Sequence, residues 1–133
     1  MGYEFLEHRS DIIILGKNST FEAALTDVAN GMFTQMGAEH AKEKESFELK
    51  FSAPTMEQFV VQLLSEIIAE CETRPLTPKK IKVLAFDEKA LSVSVLVSGE
   101  KKVPENIIKA VTYHEFRAEK KGKNWEIQVL FDI

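Results

Sequence analysis

The chain has 133 residues, with 17 Lys+Arg against 21 Asp+Glu and a formal net charge of −4. At 44% hydrophobic and 29% charged it reads as one soluble domain, long enough to fold without a disulfide or structural metal. The acidic balance argues against broad, charge-driven binding to nucleic acid, and the lone Cys71 excludes an internal disulfide.

The opening MGYEFLEHRSD has no basic region followed by an apolar run, so it is not a signal peptide. No apolar stretch approaches the ~18 residues that span a membrane. The expected location is the cytoplasm.

Residues 3–6 and 11–15 are rich in aromatic and β-branched side chains, notably Tyr3, Phe5 and Ile12-Ile13-Ile14. They predict one interrupted strand or two short ones around the polar Glu7-His8-Arg9-Ser10. GKNST breaks the strand and starts a helix, with Ser19 and Glu22 spaced as a capping box. Phe21, Ala24, Leu25, Val28, Met32, Phe33 and Met36 follow at helical spacing, as core rather than a cofactor pocket. AEHAKEKE is a charged connector. SFELKFS alternates Phe47, Leu49 and Phe51 against Glu48 and Lys50, the mark of a strand with one buried face.

Beyond Pro54, Thr55 and Gln58 form a second capping box. The helix it starts carries Met56, Phe59, Val60, Leu63, Leu64, Ile67, Ile68 and Cys71 on one side. Cys71 is thus a small buried hydrophobe rather than a reactive thiol. KIKVLAF and LSVSVLV form a hairpin across DEKA, and VSGEKKVPEN is a loop. IIKAVTYHEFRA is a long strand that pairs with WEIQVLFDI across KKGKN. In the last strand Trp125, Ile127, Val129 and Phe131 share a face, and Asp132 points the other way. Few helices and consecutive strands joined by short turns predict an α+β fold. The expected form is a single domain over 1–133, with two helices packed on a mainly antiparallel sheet in two layers.

No glycine-rich nucleotide loop, zinc pattern or nucleophile elbow occurs. Three features remain: EHRSD at 7–11, KAVTYHEF at 109–116, and the end of the chain. The first reads from composition as a solvated turn, and the second as a strand with its polar side in water. At the end, the Asp132 carboxylate sits beside the α-carboxyl of Ile133. Adjacent negative groups repel, which is tolerable in water or around a cation. Oxygen ligands suit Ca²⁺ or Mg²⁺ better than zinc or copper.

Together YEFLEHRSDI, IIKAVTYHEF and the closing FDI resemble the archease family. The resemblance lies in the two ends of the chain; the middle matches only in general pattern. It implies a small α/β protein that serves as a protein cofactor of the RtcB-type tRNA-splicing RNA ligase. Such a protein promotes guanylylation of the ligase and its multiple turnover, and is itself no enzyme. It also implies a divalent cation, Ca²⁺ ahead of Mg²⁺, held by Asp11, Asp132 and the terminal carboxylate of Ile133. By the same resemblance Lys109 takes part in activation, and His8 and His114 neighbour the site. On this view the chain ends on Asp-Ile because the last carboxylate is a ligand. The sequence departs from the family pattern at Arg9, where a small residue is usual, and at Ile13, where Gly is common. The expected partner is the ligase, with no high-affinity nucleic-acid contact and no membrane.

Other readings are a chaperone or modulator of another tRNA-processing enzyme, such as a tRNA methyltransferase; a carboxylate-based metal hydrolase; and a plain ligand-binding domain. The hydrolase is weakest, since two-metal sites need more ligands and a base.

Overall fold

The computed structural model describes residues 2–7 and 10–133, with the side chain of Glu7 left out of the description. The elements run β1 (Gly2–Glu7), β2 (Asp11–Asn18), α1 (Phe21–Met36), β3 (Glu45–Ser52), α2 (Met56–Thr73), β4 (Thr77–Asp87), β5 (Ser92–Glu100), β6 (Ala110–Lys121) and β7 (Asn124–Asp132).

The α+β class, the two helices and the antiparallel pairing stand as expected. The strands divide into two sheets where the sequence reading has one. A four-stranded sheet has the order β1-β2-β7-β6, and a three-stranded sheet has the order β3-β5-β4. Hydrophobic alternation assigns a strand its buried face but not its neighbours, so the division is invisible in sequence. Both helices touch both sheets: α1 lies against β2, β7 and β4, and α2 against β6 and β3. One apolar core therefore runs through the molecule. At its centre the Phe21 ring lies 5.4 Å from Trp125, 5.7 Å from Phe86 and 6.4 Å from Phe59, which ties one sheet to the other through both helices.

Helix α1 begins one residue later than Ser19 would place it. Thr20 is the N-cap, and its hydroxyl accepts from the Ala23 N–H at 3.1 Å. Asn18 explains the shift: its side-chain oxygen takes the Ser19 N–H at 2.8 Å, which turns Ser19 into the exit from β2. Gly37 ends the helix at φ 114°, with its N–H on Phe33 O and Thr34 O, a conformation that favours glycine. Helix α2 has the predicted cap, Thr55 accepting from the Gln58 N–H at 3.2 Å. Cys71 is fully buried, and burial, more than the neighbouring Glu70 carboxylate, pushes its thiol up to about 12.

Among the described residues no helix is long and apolar enough to cross a membrane.

At the β6–β7 hairpin the Arg117 guanidinium donates to Glu126 at 3.0 Å and to Glu119 at 2.7 Å. The Arg117 hydrogen bond is the main cause that holds both carboxyls below the usual range. A depressed folded pKa contributes stability above the unfolded carboxylate value, and that contribution is lost as pH falls through the folded value. The melting temperature of the native chain should therefore drop as pH falls below roughly 4.3. In Arg117→Gln the part of that drop due to these two acids should disappear. A thermal-shift series from neutral to acid pH checks it, and superimposable profiles would refute it.

Candidate functional site

Strand β2 starts at Asp11 and β7 ends at Asp132, and the two residues are Cα partners in the antiparallel ladder. Directly opposed residues project to the same face, with Cβ atoms about 4.5–5.5 Å apart. The two carboxylates that stand at opposite ends of the chain are thus cross-strand neighbours. On the other side of β7, Asp132 faces Ala110 of β6. Backbone bonds hold this end from both flanks: the Lys109 N–H donates to Asp132 O at 2.7 Å, and the Ile133 N–H donates to Ser10 O at 3.1 Å. Ile133 is half-buried and packs its side chain on the core. Asp11 and Asp132 are half-buried too, and Asp11 Oδ1 is shielded from solvent.

Of the residues expected at the site, the structure brings Asp11, Asp132 and Ile133 together. Lys109 joins them through its backbone, while its exposed side chain lies at a cleft of about 200 Å³ lined by Ser65, Ile68, Ala69 and Glu72 of α2. The expected long strand from residue 107 begins only at Ala110, because Ala110 already pairs with Asp132 and β7 offers no further partner. His8 and Arg9 lie outside the described residues. Ile13 is buried beside its partners Leu6 and Leu130, so a side chain where Gly is common fills apolar space here.

His114 is exposed on a bulge that sequence reasoning missed. Thr112 faces Leu130 and Arg117 faces Gln128, so five steps along β6 match two along β7. Glu115 sits at φ 55° within it. The bulge is tied at three points: Thr112 Oγ1 donates to Leu130 O at 3.1 Å, Gln128 Nε2 to Glu115 O at 2.9 Å, and Gln62 Nε2 of α2 to the Tyr113 hydroxyl at 2.9 Å. Such bulges bend a strand and re-aim side chains. The only trace of it in sequence is the broken alternation of TYHEF, where Tyr113 and Phe116 fall three apart.

Among the described residues no three His, Cys, Asp or Glu side chains gather to hold a metal. A cation at these strand ends would have two side-chain carboxylates, with the rest of its shell from the Ile133 carboxylate and water. Carboxylates on directly opposed residues of a sheet lie close enough for one cation to bridge them. The all-oxygen donor set fits a hard cation such as Ca²⁺ or Mg²⁺.

The family described as "Archease protein family (MTH1598/TM1083)" matches residues 3–133. Among curated relatives, "Protein archease" of Methanosarcina mazei is 33% identical, over 98% of this chain and 95% of that one. "Protein archease-like" of Drosophila melanogaster is 27% identical, over 100% of this chain and 91% of that one. The solution structure of Methanobacterium thermoautotrophicum protein 1598 superposes with a TM-score of 0.78 at 18% identity, over 99% of each chain. A Thermotoga maritima crystal structure, described as an archease and possible chaperone, gives a TM-score of 0.72 at 23% identity, over 96% of this chain and 94% of that one. These two likenesses bear on the fold alone.

Proposed function

This chain belongs to the archease family, and from that premise we propose that it is a non-catalytic, metal-binding activator of an RtcB-type RNA ligase, working in the cytoplasm in tRNA splicing. The observation that carries the reading is the register of Asp11 with Asp132, closed by the backbone bonds of Ile133 and Lys109. Asp11, Asp132 and the Ile133 carboxylate would hold a divalent cation, Ca²⁺ ahead of Mg²⁺. The cation would neutralise the opposed carboxylates and clamp the ends of β2 and β7. Lys109 would then present its ammonium group to the partner from a fixed backbone, with the exposed His114 further along the chain, on β6. Activation works by binding a guanylylation-competent ligase state more tightly than its alternatives, since a binder with equal affinity for both states shifts nothing.

The test is multiple-turnover RNA ligation by the cognate ligase with substoichiometric amounts of this protein. The native chain should stimulate. Asp11→Ala and Asp132→Ala should lose stimulation while keeping the native circular dichroism spectrum, and their melting temperatures should no longer rise with Ca²⁺. A short extension after Ile133 should abolish stimulation as well. Full stimulation by both Asp variants would sink the metal assignment. A native chain that leaves ligation unchanged yet forms a stable complex with a tRNA methyltransferase would replace this reading with the chaperone one.

A further inference from the structure

The opposite end of the same sheet carries a concentration of positive charge. The β6–β7 hairpin presents Arg117, Lys120, Lys121 and Lys123, and Lys17 of β2 lies beside it, facing Glu126. Glu119 and Glu126 are the acids in this cluster. Both are shared: Glu126 is within ion-pair distance of Lys17 at 3.9 Å, Arg117 at 3.0 Å and Lys121 at 3.5 Å, and Glu119 of Arg117 at 2.7 Å and Lys121 at 3.3 Å. Two carboxylates divided among three cations leave one positive charge over. Lys120 and Lys123 are exposed and form no ion pair among the described residues. The tip of the hairpin is therefore positive by three charges, spread over Lys17, Arg117 and Lys121 on one face of the ribbon, Lys120 opposite Trp125 on the other, and Lys123 in the turn between, in a chain whose net charge is −4.

We propose that this hairpin end is a docking surface for the sugar–phosphate backbone of a nucleic acid, engaged without regard to base sequence. One observation selects phosphate over an acidic protein surface: none of the large exposed apolar side chains among the described residues falls between 117 and 124. Protein interfaces are organised around a buried apolar or aromatic centre, whereas phosphate contacts need only donors and charge. The Arg117 guanidinium is held by two carboxylates on the strands, Lys120 stands on β6, and Lys123 lies in the two-residue turn that follows. The surface is also separate from the proposed cation site. Asp132 lies eight residues along β7 from Asn124, roughly 25 Å away at about 3.3 Å per residue. A ligase could hold one end of the sheet while the hairpin meets the RNA it works on. Three surplus charges make the contact weak and salt-sensitive, which is compatible with the acidic balance of the chain as a whole.

The proposal does not rest on the ligase reading, because its readout is binding by this chain alone. Fluorescence anisotropy with a fluorescein-labelled single-stranded oligouridine, titrated with the full-length protein at several salt concentrations, tests it. Binding should weaken with salt at a log–log slope of about −2, as for three phosphates on a single strand. Lys120→Gln/Lys123→Gln should weaken binding several-fold, and Lys120→Glu/Lys121→Glu/Lys123→Glu by about tenfold or more at low salt. Both variants should keep the native circular dichroism spectrum. Lys50→Glu/Lys80→Glu/Lys82→Glu makes the same charge change on β3 and β4 and should leave binding within twofold of native. The idea falls if the native chain does not bind at low salt, or if this control loses binding as fully as the hairpin variants. Tighter binding of poly-glutamate than of an oligouridine of equal charge would also overturn it, in favour of an acidic polypeptide.

Discussion

Phe131→Ala is expected to lower the free energy of unfolding by about 3–5 kcal/mol, the usual cost of removing a fully buried aromatic ring. Phe131 has no exposed surface, and its ladder partners are Ile12 on one side and Val111 on the other. It is the last core residue before Asp132, so its ring holds the end of β7 between β2 and β6. The cavity would therefore weaken the fold and loosen the strand end that keeps Asp132 opposite Asp11. Against a total stability of about 5–15 kcal/mol for a domain, that loss is large. Urea unfolding should show a reduced midpoint with little change in slope. A loss under about 1 kcal/mol would mean that the β7 end is anchored by its backbone bonds and not by packing.

Gly16→Ala should be nearly as damaging for the opposite reason. Gly16 lies on β2 where α1 crosses close above it. A methyl group built there would stand 2.4 Å from the Ala24 carbonyl oxygen and 2.8 Å from Val28 Cγ2. The nearer atom is helix backbone, which cannot swing aside, so the helix must lift off the strand. Overpacking of this kind costs typically about 1–3 kcal/mol, and backbone contact places it at the upper end. The same urea measurement decides it. A variant as stable as the native chain would show that α1 can shift on the sheet without loss.

Phe131 and Gly16 also mark two different degrees of legibility. The alternation Trp125, Ile127, Val129, Phe131 is a local pattern, and the last three of these residues are fully buried on the face that it predicts. The role of Gly16 is not local at all, because nothing in LGKN says that a helix will pass within contact distance. The helix caps divide in the same way. Thr55 and Gln58 act as their spacing predicts, whereas Asn18 captures the Ser19 N–H and hands the first cap to Thr20.

The candidate site was legible only in pieces. Asp11, Lys109, Asp132 and Ile133 were named by the likeness of three short stretches to a family, while composition alone reads the first two stretches as a solvated turn and an ordinary strand. The bulge at 113–116 was not foreseen, since a bulge is a mismatch between two strands and neither strand records the other's register.

By itself the sequence determined what depends on neighbours along the chain: which segments are helix or strand, which face of each is apolar, and the α+β class. Which strands share a sheet, that the helices touch both sheets, and that Asp11 stands opposite Asp132 were decided only in the tertiary structure. The reason is physical. Periodicity is set by backbone geometry within a few residues, whereas register and sheet partners are set by how a whole set of apolar faces can be buried at once.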